Sequence, residues 1–205
     1  QKEYESDSAI SEFLGIIIDE VNGLSKLTTE FLEFARPVEI EPAPIDLNEI
    51  VRRTLQFMSV HIGENGVMVE ERLDQNLPII EADEKQLEQV LRNCILNAVQ
   101  AMPNGGRLTI GTGRSGDNVS VFVEDTGVGI SEENLSRIFV PFFTTKTKGT
   151  GLGLAIVQKI VENHGGHIEV SSRVGEGTKF AIKLPVNGSV RRTVSAGDTI
   201  ENRRS

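Results

Sequence analysis

Glycine at alternate positions ahead of an apolar helix is the feature of this sequence that most directly suggests chemistry. Residues 146–156 read KTKGTGLGLAI, and the apolar spacing that follows predicts a helix ended by Gly165 and Gly166. Free N–H groups and the helix dipole make such a start favourable for an anion such as phosphate. The run therefore indicates a phosphate site, and a flexible loop before a helix is the alternative interpretation.

Two other phosphate motifs are excluded by the spacing. The dinucleotide fingerprint needs G-x-G-x-x-G after a strand, whereas the run here is G-x-G-x-G. The P-loop needs a Gly-Lys-Ser or Gly-Lys-Thr ending, which occurs nowhere in the chain.

Two asparagines form a second candidate for chemistry. Asn93 and Asn97 lie four residues apart on a helix predicted from Asp83 to about Met102. Their side chains therefore share one face, roughly a quarter turn from the apolar stripe. An amide oxygen can ligate Mg²⁺, which prefers hard oxygen ligands and keeps several waters. The pair indicates a metal or phosphate contact, and a solvated polar face is the alternative.

A third candidate lies at the end of a predicted strand. Residues 119–124 form that strand, which leads into Asp125, and Gly127 and Gly129 follow. A carboxylate at a sheet end can accept a hydrogen bond from an exocyclic amino group, worth about 1.5 to 3 kcal/mol when one partner is charged. The glycines would let the backbone approach a ligand. Ordinary turn chemistry is the alternative.

Composition limits the classes of protein to consider. With 205 residues, 38% of them hydrophobic, the chain can bury one moderate core and carry an appendage. Because the chain has 30 acidic residues and only 21 basic ones, neither nucleic acid nor an anionic membrane is expected as the main partner. No apolar run reaches roughly 18 residues, so no membrane contact is expected here. The single cysteine, Cys94, excludes an internal disulfide framework and fits a cytoplasmic location.

The first 36 residues carry a helical repeat. Its apolar residues alternate by four and three over nearly four heptads, and further apolar positions widen the stripe toward a bundle helix. We expect residues 1–36 to be a dimerisation bundle helix, with partner helices from a second copy or from upstream residues; packing along the globular domain is the alternative. Proline at position 37 predicts a linker over 37–45. The repeat consists of Ile10, Leu14, Ile17, Val21, Leu24, Thr28, Phe31 and Ala35.

The compact part of the chain is predicted over 46–186. Asp46 can cap a first helix, Asp83 starts a second, and a third follows the glycine run. We expect an α/β fold, a two-layer α/β sandwich in which a mixed sheet is covered by helices on one face. The polar tail 187–205 is expected to be loose. The predicted strands are 67–73, 107–112, 119–124, 168–172 and 179–184.

Five segments occur in an order that resembles one family. They resemble, in turn, the asparagine box, the first glycine box, the phenylalanine box and two further glycine boxes of the ATP-binding domain of sensor histidine kinases, which has a GHKL or Bergerat-type fold. The similarity covers about 46–185, and the phrases EFARP, NAVQAM and PFFTTK look most like the nitrogen-regulation-type subgroup. The segments are NCILNAVQA (93–101), DTGVGI (125–130), FVPFFTT (139–145), GTGLGL (149–154) and GEGTKF (175–180).

The resemblance implies ATP as the ligand and Mg²⁺ as its metal. Asp125 would accept a hydrogen bond from adenine, with Thr178 and the backbone of Gly127 and Gly129 nearby. The expected reaction is transfer of the γ-phosphate to a histidine, and thence to an aspartate of a response-regulator receiver domain.

Metal and phosphates are assigned by the same resemblance. Asn97 would ligate Mg²⁺, and Asn93 would support the metal or the phosphates. Gln100 stands where many sensor kinases carry a phosphate-binding lysine, so no role is assigned to it. Lys146 and Lys148 are candidates to neutralise the γ-phosphate, although a solvated lysine pair is equally compatible with the sequence. The lid residues expected to enclose the phosphates are Lys146, Lys148, Gly149, Thr150, Gly151, Leu152, Gly153 and Leu154.

A phosphoacceptor histidine is not evident in the chain. His61, His164 and His167 are the three histidines, and none stands in a His-Glu-type box on a bundle helix, so each is interpreted as structural. We expect the acceptor helix upstream of Gln1. The chain would then be the cytoplasmic part of a kinase that pairs with a second copy through its bundle helix.

Three alternatives share the fold. Related ATPases, such as those of type II topoisomerases, and related serine kinases generally carry glutamate at the position of Asn93, where it activates water or a hydroxyl. An amide cannot act as a general base, which disfavours both. A non-catalytic nucleotide-binding scaffold that only docks a partner is the third.

Overall fold

A computed structural model of the chain describes residues 2–36, 40–146 and 149–186, without the side chains of residues 2–12, 19 and 26. Lys148, the tail 187–205 and the first residues of the predicted linker, 37–39, lie outside this description.

Twelve helices and strands make up the described residues. Every helix and strand predicted from the sequence is present, and three short elements, β1, β3 and α4, were not predicted. In chain order they are α1 Lys2–Ala35, β1 Ala43–Ile45, α2 Leu47–Glu64, β2 Val67–Arg72, β3 Ile80–Ala82, α3 Glu84–Ala101, β4 Gly106–Ser115, β5 Asn118–Asp125, α4 Glu132–Leu135, α5 Gly153–Asn163, β6 His167–Arg173 and β7 Gly177–Pro185.

A five-stranded mixed sheet forms one layer, in the order β2-β4-β5-β7-β6. Strands β2 and β4 are parallel, and the other neighbours are antiparallel. Helices α2, α3 and α5 contact the sheet, and alternate residues of β5 are buried, as expected for a sheet with one covered face. The predicted two-layer α/β sandwich is confirmed.

A small second sheet corrects the predicted linker. Strand β1 pairs antiparallel with β3, with Ala43 opposite Ala82, so the linker expected over 37–45 ends before Ala43. Prolines at positions 42 and 44 lie within the linker predicted from the sequence. Proline is nevertheless tolerated in an edge strand, where its missing N–H costs no ladder hydrogen bond.

Two aspartates start the helices that carry the core. The Asp46 carboxylate accepts hydrogen bonds from the backbone N–H groups of Asn48 and Glu49, and Asp83 caps α3 in the same way through Gln86. Asp83 also accepts from the backbone N–H of Glu41 at 3.1 Å. Both predicted helix starts are confirmed, and Asp83 ties the chain ahead of β1 to α3.

Helix α1 presents an apolar stripe along most of its described length. Phe13, Leu14, Ile17, Val21 and Leu24 are each more than half exposed. Leu27 and Phe34, nearer the end of the helix, pack against the core of the domain instead. The stripe therefore lacks a cover within the described residues, while the last turns follow the alternative in which the helix packs on the domain. No described helix has the length and apolarity needed to cross a membrane.

His164 joins the C-terminal end of α5 to the start of α3. Its ring is buried; Nδ1 donates to the carbonyl of Ile160 at 2.8 Å, and Nε2 accepts from the backbone N–H of Asp83 at 3.0 Å. Burial lowers the pKa of His164 below its ordinary value, so the ring is neutral and links α5 to α3 through its two hydrogen bonds. The structural role expected for His164 is confirmed.

The buried neutral ring of His164 predicts a loss of stability in mild acid. Below about pH 6.5 the unfolded chain binds a proton at His164 that the folded chain excludes, so stability falls as pH falls from 6.5 toward the lowered folded pKa. The free energy of unfolding in urea is expected to fall between pH 7.5 and 5.5 less steeply in His164→Gln than in wild type, by up to about 1.4 kcal/mol per pH unit. His61→Gln, at an exposed histidine, serves as the control. An identical pH slope in His164→Gln and wild type would contradict the assignment.

Candidate functional site

Asp125 ends β5 as a buried carboxylate. Only 4% of the residue is exposed, and it lies opposite Thr178 of β7 in the strand register. Its Oδ1 accepts from the backbone N–H of Gly127 at 2.8 Å. Thr178 is equally buried, and its hydroxyl lies 2.9 Å from that of Ser172 on β6. Two predicted site residues are therefore neighbours in the sheet, and Thr178 also contacts a serine that the sequence did not single out.

The environment of Asp125 opposes its negative charge. Burial raises the pKa of the Asp125 carboxyl above its ordinary value, while hydrogen bonds from the backbone of Gly127 and Thr178 and the charge of Lys146 act in the opposite direction. A carboxylate buried at the end of a strand is a strong acceptor for any donor that reaches it.

The glycines near Asp125 have a reason within the fold. A Cβ on Gly127 would lie 2.4 Å from the carbonyl oxygen of Ala101, and one on Gly129 would lie 2.1 Å from that of Arg173. Gly129 also has φ +70°. Close backbone packing of the loop after β5 against the end of α3 and the β6–β7 turn therefore explains them. The expected reason, approach of a ligand, is not needed.

The polar face of α3 meets the lid. The side-chain N–H of Asn93 donates to the carbonyl of Gly153 at 3.3 Å. The ammonium of Lys146 donates to Asn97 Oδ1 at 2.9 Å and to Gln100 Oε1 at 2.6 Å. Three predicted site residues, Asn93, Asn97 and Lys146, are brought together with Gln100, which sequence analysis left without a role.

This arrangement fits a magnesium ion. The ammonium of Lys146 is a positive charge held by the amide oxygen of Asn97, so that oxygen already faces a cation. No group of three or more histidine, cysteine, aspartate or glutamate side chains could hold a metal within the described residues. Mg²⁺ needs no such cage, because it keeps several waters and uses few protein ligands beside substrate phosphates.

In its described residues, 139–146 and 149–154, the lid folds back on itself. The backbone N–H of Phe142 donates to the carbonyl of Gly151 at 3.0 Å, and that of Gly149 to the carbonyl of Lys146 at 3.2 Å. Leu152 is fully buried beneath it. Two lid phenylalanines, Phe139 and Phe143, pack against the core, whereas Phe142 is more than half exposed.

Replacement by alanine is predicted to affect stability differently at two lid glycines. Gly151 has φ +71°, and its added Cβ would lie 2.4 Å from the backbone of Phe142, whereas one on Gly153 would meet only Asn93 at 3.9 Å. Gly151→Ala is therefore expected to destabilise the nucleotide-free protein by about 2 kcal/mol, or roughly 4 to 8 °C in Tm. Gly153→Ala should leave Tm within about 1 °C by calorimetry, since position 153 accepts a helical alanine. Equal Tm values for the two variants would contradict this packing.

Helix α1 contacts the lid from outside. The hydroxyl of Thr150 donates to the carboxylate of Glu30, and the rings of Phe31 and Phe142 stack with centroids 6.5 Å apart. The ammonium of Lys159 on α5 donates to the carbonyl of Phe34 at 2.6 Å. The last turns of α1 therefore contact the lid at Phe142 and Thr150, and α5 at Lys159.

Some predicted site residues point elsewhere. Thr150 faces α1, Leu152 is a core side chain, and Leu154 packs partly against the core, so only their backbones are available toward α3. Helix α5 begins at Gly153 without a hydrogen bond from a capping side chain. Its first N–H groups are the donors that the glycine run was predicted to present.

Comparison with known proteins identifies the family. Residues 82–188, more than half of the chain, match the family described as histidine kinase-, DNA gyrase B-, and HSP90-like ATPase. The chain belongs to this ATPase family. The predicted resemblance to the GHKL domain of sensor histidine kinases is confirmed.

Relatives of this ATPase-family chain are sensor kinases. Sensor histidine kinase ZraS of Escherichia coli (strain K12) is 40% identical over 172 residues, which are 84% of this chain and 37% of that kinase. Full-length ShkA in complex with AMPPNP superposes with a TM-score of 0.76 at 30% identity, covering 87% of this chain and 39% of ShkA. Histidine kinase ThkA in complex with the response regulator TrrA gives 0.74 at 31% identity, covering 85% and 51%. The chain thus spans about two fifths of the length of ZraS.

Proposed function

We propose that this chain is the catalytic ATP-binding part of a two-component sensor histidine kinase. It binds Mg-ATP and transfers the γ-phosphate to a histidine outside these residues, from which the phosphate passes to a response-regulator aspartate. One observation carries the proposal. The ammonium of Lys146, in the lid, donates to the amide oxygen of Asn97 on α3, and its positive charge acts to lower the pKa of the buried Asp125 carboxyl.

Adenine recognition belongs to the end of β5. Asp125 accepts from the exocyclic amino group of adenine, with Thr178 and the backbone of Gly127 and Gly129 around the base. The burial of Asp125 supports this role, because a hydrogen bond to a carboxylate strengthens where water is excluded.

Phosphate and metal recognition belongs to α3 and the lid. Asn97 ligates Mg²⁺ through its amide oxygen, Asn93 supports the metal or phosphates, and Lys146 and Lys148 neutralise the γ-phosphate. The amide oxygens that now hold Lys146 support a cation at Asn97. The uncapped start of α5 supports phosphate contacts from the backbone of the remaining lid residues. These are Gly149, Thr150, Gly151, Leu152, Gly153 and Leu154.

Transfer of the phosphoryl group needs little covalent chemistry from the protein. Bound Mg²⁺ supplies positive charge to the phosphate oxygens. The residues of this chain position the nucleotide and close the lid over it. The acceptor histidine comes from a bundle helix, so the reaction depends on how α1 and its partner helices present that histidine.

Two protein partners follow from this role. The exposed apolar stripe of α1 supports pairing with a second copy through a helical bundle. The superposition on ThkA, solved with a response regulator, supports a receiver domain as the second partner. We place the reaction in the cytoplasm, where ATP and receiver domains are available.

The related ATPase and serine kinase remain the competing enzymes. Asn93 disfavours both, because its amide cannot take a proton from water or a hydroxyl. The non-catalytic scaffold is disfavoured by the joint presence of Asn97 and Asp125 in one site.

Phosphate transfer to a supplied acceptor tests the proposal. The chain is incubated with Mg²⁺, γ-labelled ATP and a polypeptide that carries a phosphoacceptor histidine on a bundle helix. Acid-labile label on that polypeptide, absent when its histidine is replaced by glutamine, is the expected result. Label released as free phosphate without an acceptor would favour the ATPase, and bound but uncleaved ATP would favour the scaffold.

A further inference from the structure

Gln100 converges with Asn97 on a single ammonium group. The two residues are three apart on α3 and so share a face, and both amide oxygens accept from Nζ of Lys146. The lid brings Lys146 there from 46 residues away, and its own backbone N–H is fixed by the hydroxyl of Thr144 at 3.1 Å. A rigid helix thus holds the end of a lid side chain.

The two acceptors are not equivalent once a metal binds. A cation on Asn97 Oδ1 would repel the ammonium that now shares this oxygen, because positive charges about 4 Å apart repel each other even at an exposed contact. Gln100 has no such competitor in the proposed site. It is also neutral, so it can hold Lys146 without cancelling the charge of the lysine, as a carboxylate would.

We propose that Gln100 is a positioning residue that keeps Lys146 beside the γ-phosphate when Mg²⁺ takes over Asn97. The inference rests on the proposed function and deepens it. Because the charge is carried by the lid and its anchor by α3, the site gains this cation only while the lid is folded onto the helix. Gln100 therefore couples lid closure to recognition of the terminal phosphate.

Nucleotide affinities test the coupling. Dissociation constants of Mg²⁺ complexes of ADP and of a non-hydrolysable ATP analogue are measured by calorimetry for wild type, Gln100→Ala, Lys146→Met and the double variant. Gln100→Ala should weaken the ATP analogue about 5- to 10-fold and ADP less than about 2-fold, and should add nothing in the Lys146→Met background. An equal loss for both nucleotides, or additive losses in the double variant, would overturn the proposal.

A double variant that moves the positive charge from position 146 to position 100 sharpens the test. Nζ of Lys146 lies 2.6 Å from Oε1 of Gln100, so a lysine at position 100 would put its ammonium near the same point. Gln100→Lys combined with Lys146→Met should recover at least half of the ATP preference lost in Lys146→Met, as a logarithm of the affinity ratio. No recovery would mean that this point is not near the γ-phosphate.

A nucleotide-free readout separates this inference from the proposed function. Trypsin must take the Lys146 side chain into its own pocket, so cleavage after Lys146, followed by mass spectrometry, reports release of the ammonium. Cleavage should be about 5-fold faster in Gln100→Ala than in wild type, since proteolysis follows the population of the open form. Gln56→Ala, at an exposed glutamine of α2, is the matched control and should cleave at the wild-type rate.

The two failures give different patterns. Unchanged cleavage in Gln100→Ala would overturn the Gln100 anchor whether or not nucleotide binds. Faster cleavage of Gln100→Ala, together with a wild-type protein that binds neither nucleotide, would overturn the proposed function and with it the phosphate role of Gln100. The contact between Gln100 and Lys146 would still stand.

Discussion

Asp125→Asn is expected to abolish nucleotide binding and leave the fold at least as stable as wild type. The variant replaces a charged acceptor by an amide that can present an N–H to the adenine amino group, so affinity should fall about 100-fold or more. Stability should not fall. The folded pKa of Asp125 is raised, so the charged carboxylate weakens the fold as pH rises through the interval between its ordinary value and the raised one. Calorimetric titration with a non-hydrolysable ATP analogue and urea unfolding at pH 7 measure the two effects.

The adjacent acidic residue provides the control for Asp125. Glu124 belongs to the same strand, but its side chain pairs with Lys179 at 3.0 Å on the exposed face. Glu124→Gln should therefore keep wild-type affinity and lose at most about 1 kcal/mol of stability, as exposed ion pairs do. Wild-type affinity in Asp125→Asn, or equal losses in the two variants, would remove Asp125 from the site.

Asn97→Ala is expected to remove the Mg²⁺ dependence of nucleotide binding. In wild type, affinity should rise when Mg²⁺ is added, because the metal joins the phosphates to the amide oxygen of Asn97. Without that oxygen the ratio of affinities with and without Mg²⁺ should fall toward one, and γ-phosphate transfer should fall by about 100-fold or more. Titration at fixed nucleotide with and without Mg²⁺ measures this ratio.

Asn76→Ala, at an exposed turn asparagine, should keep both the Mg²⁺ ratio and the transfer rate. The site assignment fails if Asn97→Ala retains the wild-type Mg²⁺ ratio.

Long elements and their starts were accessible from the sequence. Asp46 and Asp83 cap the helices they were expected to start, because capping is a local interaction within three residues. Strands β1 and β3 were not accessible. Each has three residues, too few for an alternating pattern, and their pairing joins positions almost forty residues apart, Ala43 and Ala82.

The candidate site divides in the same way. Asn93, Asn97 and Asp125 could be predicted as site residues because residue type and local spacing indicate their chemistry. Gln100 was missed because its contact with Lys146 spans 46 residues and depends on where the lid folds. The contact of Thr150 with Glu30 spans 120 residues. The glycines after Asp125 were interpreted as positions that a ligand approaches, whereas the backbone of Ala101 packs against Gly127 in the structure, which no local pattern reveals.

The structure of the chain bound to Mg²⁺ and a non-hydrolysable ATP analogue tests the central claim most directly. We predict the adenine amino nitrogen at about 3 Å from the Asp125 carboxylate, the metal on Asn97 Oδ1 and the ammonium of Lys146 beside the terminal phosphate. A nucleotide bound away from Asp125, or a metal with no contact to Asn97, would contradict the account.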